Sequence, residues 1–207
     1  MSTTESQHEG SNPSLTAMVH IKNNFIDETE NNFLFSFLNE KTNKSFSTEE
    51  NFYEWYEISK DDDIFNSPLF LRIFNRNLFF VRNSYGTNLK LHYCGFANQT
   101  RGFDYHADSV WPEIPENRVM GLPSKENNTY SNYQGNWIPN YVPNRKYTTV
   151  LYLNEGFDGG ETHFPVLDIL VKPEKNKILG FGCDEKFVHG VMPTTNGVRK
   201  AFICWFE

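Results

Sequence analysis

His106-Ala107-Asp108, a distant His189 and, ten residues further on, Arg199 are the side chains whose types and spacing suit chemistry. In an extended chain, side chains two apart point the same way. A His-x-Asp triplet on a strand therefore offers two ligands to one side. A second histidine from far along the chain completes a set of two imidazoles and one carboxylate. Such a set occupies one face of an octahedral ion and leaves the opposite positions open, the arrangement that serves redox chemistry at non-haem Fe(II). Taken alone, the triplet reads as readily as a solvated surface turn.

The C-terminal stretch adds weight. Val188 to Pro193, then Gly197-Val198-Arg199, then Ala201 to Phe206 reads as strand, turn, strand. Alternation places Arg199 on one face with Ala201, Ile203 and Trp205, and turns Lys200 to the other. A guanidinium on a face otherwise apolar and aromatic needs an anionic partner. Two partners fit: a structural Asp or Glu, or the carboxylate of a small molecule gripped by the planar fork. An open metal face beside a carboxylate clamp suits an enzyme that uses 2-oxoglutarate.

From about Leu89 to Phe206 the chain resembles the Fe(II)/2-oxoglutarate-dependent dioxygenase superfamily, and within it the prolyl 4-hydroxylase-like branch. The resemblance rests on His106-Ala107-Asp108, the run Thr148 to Asn154, the run Asp158-Gly159-Gly160-Glu161-Thr162-His163-Phe164-Pro165, and the block from His189 to Trp205, in that order. It implies a mainly β fold: a double-stranded β-helix, jelly-roll or cupin-like, with N-terminal helices packed on it. It implies His106, Asp108 and His189 as iron ligands, and Arg199 on the distal carboxylate of 2-oxoglutarate. Tyr152 matches a tyrosine that helps hold that carboxylate, and Tyr93 one that faces the cosubstrate. Related halogenases carry Ala or Gly where Asp108 stands, so Asp108 points to hydroxylation.

The implied cofactors are Fe(II), 2-oxoglutarate and dioxygen, with ascorbate (vitamin C) as a reductant, and the products are succinate and carbon dioxide. The expected substrate is a peptidyl proline or similar residue. The alternatives are a free amino acid or small metabolite, and a non-catalytic binding module of the same fold. Alkylation-repair demethylases of this superfamily carry a second arginine six residues after the clamp, where this chain has Trp205. The net charge of −7 also argues against a general nucleic-acid or anionic-membrane binder. No nucleic-acid or membrane partner is therefore expected.

The remaining sequence must position these groups. Its 207 residues suit one domain, and 16% aromatic content, nineteen Phe included, can fill a substantial core. Cys94, Cys183 and Cys204 are odd in number and form no CxxC motif. With no secretory signal and no long apolar run, they suggest reduced thiols in a cytoplasmic protein. Residues 1–16 read as a disordered tail and 17–207 as the single domain. Met18 to Ile21 suggests a strand. Asp27 with Glu30 suggests a capping box opening a helix whose stripe is Phe33, Leu34, Phe37 and Leu38. Further helices are expected over Phe52 to Ile58 and Ser67 to Asn77, with strands from Leu78 onward. Ser109 to Lys146 is long and rich in Asn, Pro and aromatics. It is either a substrate lid walled by Trp111 and Trp137, or an insertion packed outside the barrel. His92 and His163 are other histidines near the motifs, expected to be structural rather than ligands.

Overall fold

A computed structural model describes residues 18–42, 53–59, 61–86, 88–113 and 136–207. The expected tail and the central part of the long loop lie outside these residues. In chain order the elements are β1 (His20–Lys22), α1 (Glu28–Thr42), β2 (Tyr53–Glu57), α2 (Pro68–Tyr85), β3 (Leu91–Gln99) and β4 (Phe103–His106). They continue with β5 (Val110–Pro112), β6 (Trp137–Pro139), β7 (Tyr147–Tyr152), β8 (Asp158–Gly159) and β9 (Thr162–Phe164). The last are β10 (Ile169–Val171), β11 (Ile178–Gly182), β12 (His189–Val191), β13 (Thr194–Thr195) and β14 (Arg199–Phe206).

Six strands form one antiparallel sheet in the order β1-β11-β7-β14-β3-β2, and four form another in the order β10-β9-β12-β4. The sheets face each other. Phe164 of β9 meets Phe181 of β11 edge-on at 5.0 Å, and Phe181 meets the His189 ring at 4.5 Å. Helices α1 and α2 cover the opposite face of the six-stranded sheet. There Leu34, Leu38, Phe70, Ile73 and Val81 bury against Phe96, Leu151, Phe202 and Phe206. This is the mainly β, double-stranded β-helix architecture, with helices laid on it, that the sequence implied.

Helix α1 begins as expected. Asp27 accepts from the Glu30 amide at 2.8 Å, and Glu30 accepts from the Asp27 amide at 3.1 Å, the reciprocal capping box. Glu30 then has a second task. Its fully buried carboxylate accepts from Arg76 at 2.6 Å and Arg72 at 3.0 Å, tying α1 to α2. Asn31, one residue on, donates to the Leu153 carbonyl at 2.9 Å and so fixes α1 to the barrel.

Three expectations are corrected. The segment expected as a helix over Phe52 to Ile58 is strand β2, which pairs with β3 from Tyr53 opposite Gln99 to Glu57 opposite Gly95. Its Tyr-Glu-Trp-Tyr-Glu run is rich in aromatics that favour strands, and β3 offers a free edge, so pairing prevails over the helical reading. Helix α2 does not stop at Asn77. Ile73, Asn77 and Val81 are buried at four-residue spacing, so the helix continues to Tyr85, and strands resume only at Leu91. Gly86 ends it at φ 145°, in the positive-φ range that glycine tolerates. The first strand is His20–Lys22, shifted slightly from the expected Met18 to Ile21.

Glu30→Gln is expected to lower stability by about 1–3 kcal/mol near neutral pH, because a buried carboxylate shared by two arginines becomes a neutral amide while both arginines keep contact with water. Burial opposes the Glu30 charge, but the Arg76 hydrogen bond, the Asp27 amide and the Arg76 charge outweigh it and lower its pKa. A lowered folded value means the stabilisation is present above the unfolded carboxylate pKa and disappears as pH falls through the folded one. The parent and variant melting curves should therefore converge in acid. A gap that persists or widens there would exclude the charge as its source.

Candidate active site

Strands β4 and β12 are neighbours in the four-stranded sheet, and their register sets His106 directly opposite His189. The two imidazole centroids are 4.4 Å apart. Asp108 does not sit on β4, as the strand reading supposed. The strand ends at His106, and Asp108 lies two residues beyond, where the chain bends toward the larger sheet. Its carboxylate reaches back all the same: Oδ1 is 3.6 Å from His106 Nε2, and Oδ2 accepts the hydroxyl of Thr148 on β7. One ligand atom from each of His106, Asp108 and His189 lies within 4.8 Å of the others. This is the single such His/Cys/Asp/Glu cluster among the described residues.

Backbone carbonyls set the tautomers. His106 Nδ1 is 2.8 Å from the Asp104 carbonyl, and His189 Nδ1 is 3.0 Å from that of Phe187. A carbonyl only accepts, so each Nδ1 carries a proton, and Nε2 is the nitrogen left to bind an ion once it is unprotonated. Burial, then the neighbouring His106, push His189 down to about 4, so it is neutral at ordinary pH. Burial opposes the charge on Asp108. The His106 hydrogen bond, the nearby His189 and His106, and the Thr148 hydroxyl outweigh it and hold the carboxyl below the usual range. His106 moves up: burial lowers it, but Asp108, through hydrogen bond and charge, prevails. A neutral imidazole, an ionised carboxylate and a second imidazole whose Nε2 can give up its proton are donors that fit a divalent metal.

Arg199 opens β14 and is 2% exposed. It forms no ion pair with an Asp or Glu among the described residues. Its Nη1 donates to Gln99 Oε1 at 3.2 Å, its guanidinium lies 5.0 Å from the Tyr152 ring, and its Nε has no partner. The structural carboxylate partner that the sequence left open is thus not what holds it. A cavity joins Arg199 to His106, Asp108 and His189, with Thr162, Ile203 and Trp205 among its walls. An orphaned guanidinium N–H, reached through the same cavity as three metal-competent donors, fits a small dicarboxylate cosubstrate.

The other candidates fall in different places. Tyr152 flanks Arg199, and its hydroxyl is 2.8 Å from Thr162 Oγ1. Tyr93 lines the outer cleft rather than the inner cavity. It stacks on Trp55 at 5.9 Å and accepts from the Trp55 indole at 3.1 Å. That cleft reaches His106 and Asp108 from outside and includes Trp111, Tyr141, Arg145 and Trp205. Trp137 is not there; it packs against Tyr105, Ala107 and Val188. The loop that carries both tryptophans is not structureless at its base, since β5 and β6 form a ribbon with Trp111 opposite Ile138. His163 bonds to the Tyr105 hydroxyl at 2.5 Å and His92 to Glu207 at 3.1 Å, both away from the cluster.

Sequence reasoning missed Gln99, Thr148, Thr162 and Arg145. Thr148 shares the face of Val150 and Tyr152, so strand parity alone would have exposed it. Gln99, Thr162 and Arg145 are recruited by pairing and by loop path, which carry no local signal.

The family model for the 2OG-Fe(II) oxygenase superfamily matches residues 91–207. The chain belongs to that superfamily. A stretch of 67 residues is 39% identical to human prolyl 3-hydroxylase 1, covering 30% of this chain and 9% of that protein, so the chain spans a small part of the curated relative's length. The viral collagen prolyl hydroxylase of Paramecium bursaria chlorella virus-1, in its 2OG complex, has a TM-score of 0.60 at 16% identity over 91% of this chain and 94% of its own. A Pseudomonas putida prolyl-4-hydroxylase has a TM-score of 0.59 at 16% identity, covering 91% of each chain. At that identity the likeness shows the shared double-stranded β-helix fold.

A metal ion held at His106 should bind in a pH-dependent way, because protons compete for Nε2 where Asp108 raises the His106 pKa. Occupying its Nε2 should release about one proton per ion, and below the His106 pKa affinity should fall about tenfold per pH unit. Mn(II) titration by calorimetry in buffers of different ionisation enthalpy reads both. An affinity flat between about pH 6 and 8 would show that His106 carries no proton in the metal-free protein.

Proposed function

We propose that this oxygenase hydroxylates a prolyl residue of a peptide or protein, with His106, Asp108 and His189 holding iron and Arg199 holding the distal carboxylate of 2-oxoglutarate. The observation that carries the reading is Arg199, a buried cation with an unpartnered Nε that lines the same cavity as the His-Asp-His cluster. A buried cation lacking a counter-charge is costly, so the site is built to receive an anion. Bound Fe(II), with 2-oxoglutarate and dioxygen, supplies the oxidising power that turns a substrate C–H into C–OH as the cosubstrate leaves as succinate and carbon dioxide.

The chain's own residues do the positioning. Gln99 orients the guanidinium through Nη1, and Tyr152, braced by Thr162, flanks it. Val150, Phe181 and Ile203 give the cavity apolar walls that keep water from the reacting centre.

The outer cleft favours a peptide over a free amino acid. Trp55, Tyr93 and Trp205 form a contiguous aromatic group, with ring centroids 5.4–5.9 Å apart. The Arg145 guanidinium lies 4.3 Å from the Trp205 ring, and neither Arg145 Nε nor Trp205 Nε1 has a partner. Aromatic grooves dock extended, proline-containing segments, whose rings pack on the indole faces while backbone carbonyls accept from indole and guanidinium donors. The prolyl hydroxylase names of the relatives support the same substrate class.

The test is succinate release, with ascorbate present, across prolyl peptides and free amino acids, and mass spectrometry of the product. Coupling only to free amino acids would replace the peptide reading with a small-metabolite one. His106→Ala, Asp108→Ala and His189→Ala should each abolish turnover. Arg199→Ala should weaken 2-oxoglutarate at least about tenfold, the loss of a charged hydrogen bond. Lys200→Ala should not, since its Nζ bonds to Asn39 of α1 on the helix side, 2.9 Å away.

Arg145→Ala should lower kcat/KM for a prolyl peptide by about tenfold while leaving the calorimetric 2-oxoglutarate affinity near the parent value. Unchanged peptide kinetics in Arg145→Ala and Trp111→Ala together would move the substrate surface elsewhere.

A further inference from the structure

Behind the His-Asp-His cluster, β7 and the bend just after β11 place two buried polar side chains in series. Thr148 Oγ1 contacts both Asp108 Oδ2 and Cys183 Sγ, the latter at 3.3 Å. Thr148 is 1% exposed and Cys183 2%, so water does not compete at either contact. The hydroxyl owns a single proton, and an ionised carboxylate only accepts, so that proton goes to Asp108. The Thr148 oxygen is then left as the acceptor for the Cys183 thiol. The chain of donors runs one way, from Cys183 S–H to Thr148, and from Thr148 O–H to Asp108.

We propose that Thr148 is the positioning residue for the carboxylate ligand: it occupies Oδ2 and orients it so that Asp108 offers only Oδ1 to the metal. This rests on the metal-site reading above. The physical reason is coordination number. A carboxylate free to turn can bind through both oxygens and take one of the positions needed by cosubstrate and dioxygen. A hydrogen-bonded ligand carboxylate is pre-oriented, and losing such a partner costs about 10- to 100-fold in metal affinity or activity. The bond also joins the two sheets at the site. Asp108 follows a strand of the four-stranded sheet, and Thr148 stands in the six-stranded one. Cys183 holds Thr148 in the rotamer that donates.

The experiment compares Thr148→Val, Thr148→Ala and Thr148→Ser with the parent protein, reading Mn(II) affinity by calorimetry and the visible absorption of the Co(II) form. Val keeps the volume without the hydroxyl, and Ser keeps the hydroxyl. The expected result is a loss of about 10- to 100-fold in Mn(II) affinity for Val and Ala, restored to within about threefold by Ser. The Co(II) bands should change intensity for Val and Ala alone, as the carboxylate gains freedom to bind through both oxygens. If Val does not fold, as seen by circular dichroism, Ala carries the same expectation.

Parental affinity and parental Co(II) bands in whichever of the two folds would overturn the proposal. His106→Ala separates the two readings. If His106→Ala loses the metal and the Thr148 variants do not, only the role of Thr148 fails. If His106→Ala retains it, the metal-site reading itself fails.

Discussion

A buried guanidinium without a carboxylate is the constraint on which the rest of the structure depends. Arg199 is almost wholly enclosed, and among the described residues its fixed partners are a neutral amide and an aromatic ring. Folding must place that charge out of water with only partial compensation, which other contacts must offset. They are supplied along the same strand. Lys200, Phe202, Cys204 and Phe206 alternate with Arg199, Ala201, Ile203 and Trp205. The first set is gripped by α1 and α2, so the second is held rigidly toward the cavity.

Strand β14 therefore serves two layers at once. Its helix-facing side belongs to the larger core, where Phe70, Phe96 and Phe202 pack with ring centroids 5.0–5.9 Å apart. Its cavity-facing side runs from Arg199 to Trp205 beside the outer cleft. Pairing with β3 on one edge and β7 on the other places Gln99 opposite Arg199 and Tyr152 opposite Ala201. Catalytic geometry carried on central strands gains the precision of the sheet's hydrogen bonds, whereas substrate contacts come from the loops and edge strand around the mouth.

The metal-competent cluster is assembled across the gap between the sheets. His106 and His189 face each other across one antiparallel pair, their tautomers set by carbonyls two residues upstream of each. Asp108 has left its strand and is recaptured by Thr148 from the opposite sheet. The carboxylate's aim is therefore a property of how the two sheets sit, and Cys183 on the far side of Thr148 extends that control to the edge of β11.

Much of this was legible in the residues. The types and order of His106, Asp108, His189 and Arg199 pointed to a metal and an anion. Strand parity separated Arg199 from Lys200, and the Asp27–Glu30 box marked the start of α1, because each depends on local periodicity or on a motif read over a few residues. Other features were decided only by tertiary structure. The Tyr53–Glu57 segment is a strand because β3 presents an edge to it, and α2 runs to Tyr85 because the sheet buries its continuing stripe. Tyr93 sits with Trp55 and Trp205 because β2, not a helix, lies beside β3. Whether Arg199 would be matched by an Asp or Glu was open in sequence, since a counter-charge can come from anywhere in the chain. Packing resolved it: the sheets bring Gln99 and Tyr152 to the guanidinium, leave its Nε without a partner and place Arg199 in the wall of a cavity, and only long-range pairing can make that choice.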